Sequence, residues 1–415
     1  MIKYLNNKLS NAKTLIRYFP IVLKSAEGLY ITDIDNKKYI DCISAAGGLP
    51  FGHNHPIIKK SINDFNNKNY PVQTMDIPTV LQYDFMKTLY DFLPIDDSHD
   101  MKIQMCSPSG GDVVDAAIKL AKISTGRNSI LAFNGGYHGQ TYASSSVSGK
   151  VRSRFSYNGL PDVHFLPYNH QISSGEYIED LIKNPQSGIS LPAGIIIEPI
   201  QGEGGVNIPS KDFLKELREV TLKYDIPLIV DEIQTGFCRT GKKFGFEHSE
   251  ITPDIVCMAK AIGGSMPMGV LLHKEKFNKW EEYHHAGTFR GNQLAFLTGS
   301  NGIKYMEENK LWENAEKLGK QFVNYWENAQ SDYSIIKNIR GVGVMLAIEV
   351  KSNSNNFSDT ELAINIQKKC MEGGLLIMRG GAYGNVLRIM PPLITTNNDM
   401  NEIINILKNN LNFFN

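Results

Sequence analysis

Apolar and polar residues alternate along 28-GLYITDIDNKKYIDCI-43 around an Asp-Asn step, the pattern of a β-hairpin near the N-terminus. The hairpin leads into a glycine-rich loop, 47-GGLPFGHNHP-56. From about residue 57 the pattern switches repeatedly between the period of a helix and that of a strand. Helices are predicted over 112–125 and 211–225, and strands over 129–133, 194–200 and 227–232. The strands are apolar throughout, as strands covered on both faces are, so the alternation predicts an α/β fold with a mostly parallel sheet and helices on both of its faces. After about residue 305 the order changes. A long polar helix over 306–330, a hairpin around 340–350 and helices over 359–374 and 397–411 predict a smaller α+β domain. No Gly/Ser linker or internal repeat interrupts the chain. The expected division is an N-terminal segment, 1–57, joining the small domain, then a large domain over 58–305 and the small domain over 306–415.

Composition narrows the function classes. The 415 residues are 42% hydrophobic and 21% charged, an ordinary globular composition. Lys+Arg and Asp+Glu both number 43, the formal charge is +0, and no basic stripe gathers, so nucleic acid is not an expected partner. Apolar runs such as 194-GIIIEPI-200 fall far short of the ~20 residues a membrane span requires. The first twenty residues carry neither an uninterrupted apolar core nor a small-residue cleavage site, so a cytoplasmic protein is expected. Cys42, Cys106, Cys238, Cys257 and Cys370 are scattered, with no CxxC pair, which predicts free thiols. His53 and His55, alternate residues before a proline with no third ligand nearby, suit loop capping better than a metal, and no metal site is expected.

In open α/β sheets, ligands bind beyond the carboxyl ends of the strands, so polar residues directly after an apolar strand are candidates. Asp231 and Glu232 end one such strand, and a carboxylate there needs a partner, either a ligand or the N–H groups of the following loop. Lys260 follows the apolar run of 254-DIVCMAKAIGG-264. It either snorkels to water or is desolvated, which lowers its pKa and makes it a usable amine nucleophile. Ser109, Gly110 and Gly111 turn a strand end into a helix whose first N–H groups are either capped by Ser109 or Asp112 or free to bind a phosphate. An anion cradle, a strand-end carboxylate and a desolvated amine are together the three groups that pyridoxal 5'-phosphate needs.

The runs 228-LIVDEIQTGFCRTGKKFGFEH-248, 253-PDIVCMAKAIGGSMPMG-269 and 284-HHAGTFRGNQLA-295 resemble the class III (omega) aminotransferases of PLP-dependent fold type I, and the resemblance extends from about Tyr18 through 386-VLRIMPPL-393. Within that class the chain is most similar to the diaminobutyrate:2-oxoglutarate aminotransferases. Ornithine, acetylornithine and 4-aminobutyrate aminotransferases share the framework less closely, and an aminomutase would use the same residues. The resemblance implies that Lys260 carries the cofactor and shuttles the proton, and that Asp231 pairs with the pyridinium nitrogen. Gln234 would lie near the phenolic oxygen, Ser109, Gly110 and Gly111 at the phosphate, and Tyr137 on the ring, with His138 beside it. Thr288 would reach the phosphate across a homodimer. Glu203 and Arg388 match a pair that alternates between binding each other and binding the acid substrate, 2-oxoglutarate. Two departures stand out. Gly111 replaces the usual Thr or Val, predicting a looser cofactor loop, and the 45–50 segment differs from the loop that lines the substrate entrance in these relatives.

Overall fold

The structure is a computed structural model that describes residues 1–12, 18–96, 100–149, 159–168, 172–353 and 357–415. A short helix, Ile2–Lys8, opens the chain, and three antiparallel strands follow, β1 (Leu23–Glu27), β2 (Tyr30–Asp33) and β3 (Lys38–Asp41). The expected hairpin is the β2–β3 pair. Its turn is tied by the Asp33 carboxylate, which accepts the N–H groups of Asp35 and Lys37 at 2.9 Å each. His55 caps the helix Pro56–Asn67 by accepting the Ile57 N–H, and His53 Nε2 meets Asp41 Oδ2 at 2.9 Å, so both histidines serve the loop as expected.

The central sheet holds β4 (Met101–Cys106), β5 (Ile130–Phe133), β6 (Val163–Leu166), β7 (Gly194–Ile197), β8 (Leu228–Asp231), β9 (Ile255–Met258) and β10 (Gly269–Lys274), in the order β4-β10-β9-β8-β7-β5-β6. All its pairings from β9 to β6 are parallel, and β10 runs antiparallel to both β9 and β4. Every residue of β5, β7, β8 and β9 is buried, which explains their uninterrupted apolar sequences. The start of β8 is fixed by Asp254, which takes a two-pronged Arg218 contact at 2.5 and 2.9 Å and also the Leu228 N–H.

A second sheet contains β11 (Ile336–Val342), β12 (Met345–Val350), β14 (Met378–Gly380) and β15 (Val386–Ile389), while the short β13 (Leu375–Leu376) pairs in parallel with β3. The N-terminal strands therefore share a sheet with the C-terminal part of the chain. The predicted single helix over 306–330 is corrected to two. One spans Gln293–Glu308 and the next Leu311–Ala329, broken where Lys310 enters the left-handed region at φ 45° and Asn309 Nδ2 donates to the Tyr305 carbonyl. All five cysteines are free and buried. No helix among the described residues is long and apolar enough to cross a membrane.

Candidate active site

The carboxyl ends of β5, β7, β8 and β9 lie side by side, and each delivers a polar residue. Asp231 ends β8 and is 4% exposed. Its Oδ2 lies 2.7 Å from His138 Nδ1, and its Oδ1 accepts the Ile233 N–H at 3.0 Å, so it is at once a loop cap and one half of a buried pair. Burial alone would lower the His138 pKa, but the hydrogen bond and charge of Asp231 hold it above the ordinary value. Tyr137 precedes it, half-buried, and donates its main-chain N–H to Glu198 Oε1 at 2.8 Å.

Glu198 follows β7 directly, and its other oxygen accepts the Gly202 N–H at 2.9 Å. Burial pushes its pKa up to about 7. The sequence reading missed this residue, although it obeys the rule that found Asp231: a polar side chain immediately after an apolar strand.

Lys260 stands two residues beyond β9 and opens a turn of 3-10 helix, Lys260–Gly263. Its φ is 53°, a left-handed conformation that costs a lysine about 1–2 kcal/mol and persists only where the surroundings impose it. Burial lowers its pKa, Glu203 and Asp231 oppose that shift, and Arg388 adds to it. The side chain is half-buried and the amine partly desolvated.

Arg388 lies in β15, paired with Ala347 of β12 and Met378 of β14, and is 1% exposed. Its Nη1 meets Glu203 Oε1 at 2.5 Å, while Nη2 donates to Gln234 Oε1 at 2.9 Å and contacts Met390 Sδ at 3.3 Å. The expected Glu203–Arg388 pair is present. Gln234, expected near the cofactor's phenolic oxygen, is held between Arg388 and the Ala46 carbonyl, to which its Nε2 donates at 3.1 Å.

At the anion cradle, Ser109 occupies the N-cap of the helix Gly110–Thr125 but makes no side-chain cap hydrogen bond. Asp112 instead ties the preceding loop by accepting the Ser107 N–H at 2.7 Å, leaving the first helical N–H groups without a side-chain cap, and it also pairs with His285 at 3.3 Å and Arg290 at 3.5 Å. Cys106, Asp112 and His285 bring ligand atoms within 4.8 Å of one another, but burial pushes the thiol up to about 12, keeping it neutral, and Asp112 is already engaged.

The expectation of looseness at Gly111 is corrected. A Cβ placed there would lie 3.0 Å from Thr141 Cγ2 and Oγ1 and 3.3 Å from Ser144 Oγ, so a neighbouring loop already fills the space. Thr141 and Ser144 are fixed in turn by Asp115, which accepts the Thr141 hydroxyl at 2.8 Å and the Ser144 N–H at 2.7 Å. Thr288 is exposed in the single chain and lines a surface cavity of about 720 Å³ with Gln104, Trp280 and Arg290.

The comparisons with known proteins agree with this arrangement. The family model for aminotransferase class-III matches residues 13–411. A diaminobutyrate--2-oxoglutarate aminotransferase of Haemophilus influenzae is 39% identical over 96% of this chain and 92% of its own length, and one of Rhizobium meliloti is 37% identical over 95% and 88%. The fold matches that of a PLP-bound amine transaminase from an uncultivated Pseudomonas species with a TM-score of 0.86, at 24% identity and covering 98% of both chains. The chain belongs to the class-III aminotransferases.

Proposed function

We propose that the protein uses pyridoxal 5'-phosphate to move the distal amino group of an omega-amino acid, L-2,4-diaminobutyrate, to 2-oxoglutarate, yielding aspartate 4-semialdehyde and glutamate. The observation that carries the reading is the convergence of a half-buried, backbone-strained Lys260 and the buried Asp231–His138 pair, at the carboxyl ends of the central strands, with the Arg388–Glu203 pair that reaches them from the second sheet. The names of the relatives at 37–39% identity support the choice of donor and acceptor. The residues fit the cofactor. Asp231 has lone pairs beyond those used by His138 and Ile233, and the helix at Gly110 begins with a serine whose side chain makes no cap bond.

When bound, the cofactor supplies a carbonyl for the amine and a ring that takes up the electron pair left as a proton leaves the substrate carbon. Lys260 holds it and then carries that proton, a task suited to an amine whose pKa burial has lowered. Asp231, oriented by His138, holds the proton on the ring nitrogen. Ser109 and the N–H groups of Gly110 and Gly111 would hold the phosphate, Tyr137 would lie against the ring, and the second hydrogen of the Gln234 amide would be free for the phenolic oxygen. Arg388 binds the acid substrate through its planar fork, and Glu203 neutralises Arg388 while the distal amine of the donor enters.

The site is shared in a homodimer, where Thr288 reaches the neighbouring subunit's phosphate. Met75 lines the same cavity, and it and Val72, Ile77, Val80 and Phe289, which are close in sequence to other lining residues, are 63–73% exposed in the single chain, which supports such an interface. The β3–β13 pairing supports grouping residues 1–57 with 306–415, and the cytoplasm is the proposed compartment. The test is a panel of omega-amino acids incubated with the protein, cofactor and 2-oxoglutarate while glutamate is followed. Diaminobutyrate is expected to give the highest kcat/KM, and a higher value with ornithine or 4-aminobutyrate would replace it as donor.

A further inference from the structure

Gln234 is 8% exposed, and its amide is engaged at both ends. Arginine only donates and a carbonyl only accepts, so the contact of Arg388 Nη2 at 2.9 Å requires the amide oxygen and the Ala46 carbonyl at 3.1 Å requires the nitrogen. The orientation of the amide is therefore fixed by its partners. Gly202 makes room for it, since a Cβ there would come within 1.7 Å of Gln234 Oε1.

The anchor at Ala46 is itself unusual. Ser44, Ala45 and Ala46 have φ of 47, 49 and 57°, and Gly47 has 94°, so the segment makes a left-handed turn that L residues adopt singly rather than in runs. It is held on one side by Asp41 Oδ1, which accepts the N–H groups of Ile43 at 2.8 Å and Ser44 at 3.1 Å, and on the other by Gln234. Arg388 Nε is buried without a hydrogen bond among the described residues. Once Glu203 leaves Nη1, the remaining side-chain hydrogen-bond partners of the guanidinium among the described residues are Gln234 and Met390 Sδ.

We infer that Gln234 is a positioning residue for the acid substrate: anchored to the left-handed turn through its nitrogen, it holds one arm of Arg388 through its oxygen and keeps the fork aimed at a dicarboxylate. The inference deepens the function proposed above and rests on Arg388 as the acid-binding group. A neutral oxygen is what the task requires. It orients the guanidinium without cancelling the charge that attracts a carboxylate, whereas a carboxylate at position 234 would compete with the substrate.

Binding of glutarate, an unreactive dicarboxylate, to the holoenzyme by titration calorimetry separates this role from a merely structural one. Gln234→Leu is expected to weaken glutarate about tenfold or more, the range for a lost hydrogen bond to a charged group, and Gln234→Glu at least as much. Gly202→Ala, which displaces the amide without removing it, is expected to weaken binding in the same direction and serves if Gln234→Leu does not fold. In an Arg388→Ala background, Gln234→Leu is expected to add no further loss. Full additivity in the double variant, or parent-like affinity in Gln234→Glu, overturns the inference. Parent-like affinity in Arg388→Ala overturns it differently, by removing the role of Arg388 on which it rests.

Discussion

At the scale of single residues, two cations organise the site, the half-buried Lys260 and the buried Arg388, and they are stabilised in opposite ways. Lys260 has its pKa lowered by burial, whereas Arg388 is paired with Glu203, whose side chain is 21% exposed. Breaking a buried pair by removing one partner is costly, about 3–5 kcal/mol, because the other charge is left uncompensated. On the proposed reading that uncompensated charge is the binding site for 2-oxoglutarate. Glu203→Ala is therefore expected to weaken the half-reaction with diaminobutyrate while sparing or improving that with glutamate, and Arg388→Ala to do the reverse. Stopped-flow measurement of each half-reaction checks this, and equal loss of both in both variants would reduce the pair to a structural role. Asp231 and Lys260 were legible in the sequence because a polar residue after an apolar strand is a local signal. Gln234's link to Arg388 was not, since it spans 154 positions of the chain and depends on a backbone conformation that alanine does not advertise.

At the scale of elements, the parallel strands were legible from continuous apolar runs, and the hairpins from alternation about a turn. Breaks imposed by backbone conformation were harder to see. The helical period runs across Asn309 and Lys310, so only the left-handed φ of Lys310 separates the two helices there. The packing at Gly111 was invisible for a related reason: the side chains that occupy its space come from residues 141 and 144, on a different element. In an open helix position Gly→Ala gains roughly 1 kcal/mol, but Thr141 is held by Asp115 and Ser144 and is not free to yield. Gly111→Ala is accordingly expected to destabilise the protein by about 1–3 kcal/mol, as overpacking does. In a double-mutant cycle by denaturant unfolding, Gly111→Ala with Thr141→Ala is expected to cost less than the sum of the two single changes. A stabilising Gly111→Ala, or strict additivity, would contradict the packing account.

At the scale of the whole molecule, the loops that follow the strands are tied together across all three sheets. The Met390 N–H donates to the Cys42 carbonyl, the Leu393 N–H to that of Pro50, and Arg239 Nη1 to that of Pro391, so the N-terminal loop, the β8 loop and the end of β15 form one rim. Two buried carboxyls set a pH dependence. Glu198 and Glu232 are each pushed up to about 7 by burial, from a usual value of 4.5. Between about pH 4.5 and 7 the unfolded chain has released protons that the folded chain keeps, so stability falls as pH rises through this window, by on the order of 3 kcal/mol per group. His138 acts in the same direction. Its folded pKa is raised, so its contribution is present below the ordinary value of 6.5 and lost as pH rises through the folded one. Glu232→Gln is expected to flatten the fall in unfolding free energy between pH 5 and 7.5, measured by urea denaturation, and an unchanged slope would contradict the assignment.

The central claim is that the distal amino group, not the α-amino group, is the one transferred. It is tested most directly by supplying diaminobutyrate carrying nitrogen-15 only at its 4-amino position, with 2-oxoglutarate as acceptor, and measuring the isotope in the glutamate formed. The account predicts fully labelled glutamate and an aldehyde at carbon 4 of the donor. Unlabelled glutamate with a 2-oxo acid product would contradict it.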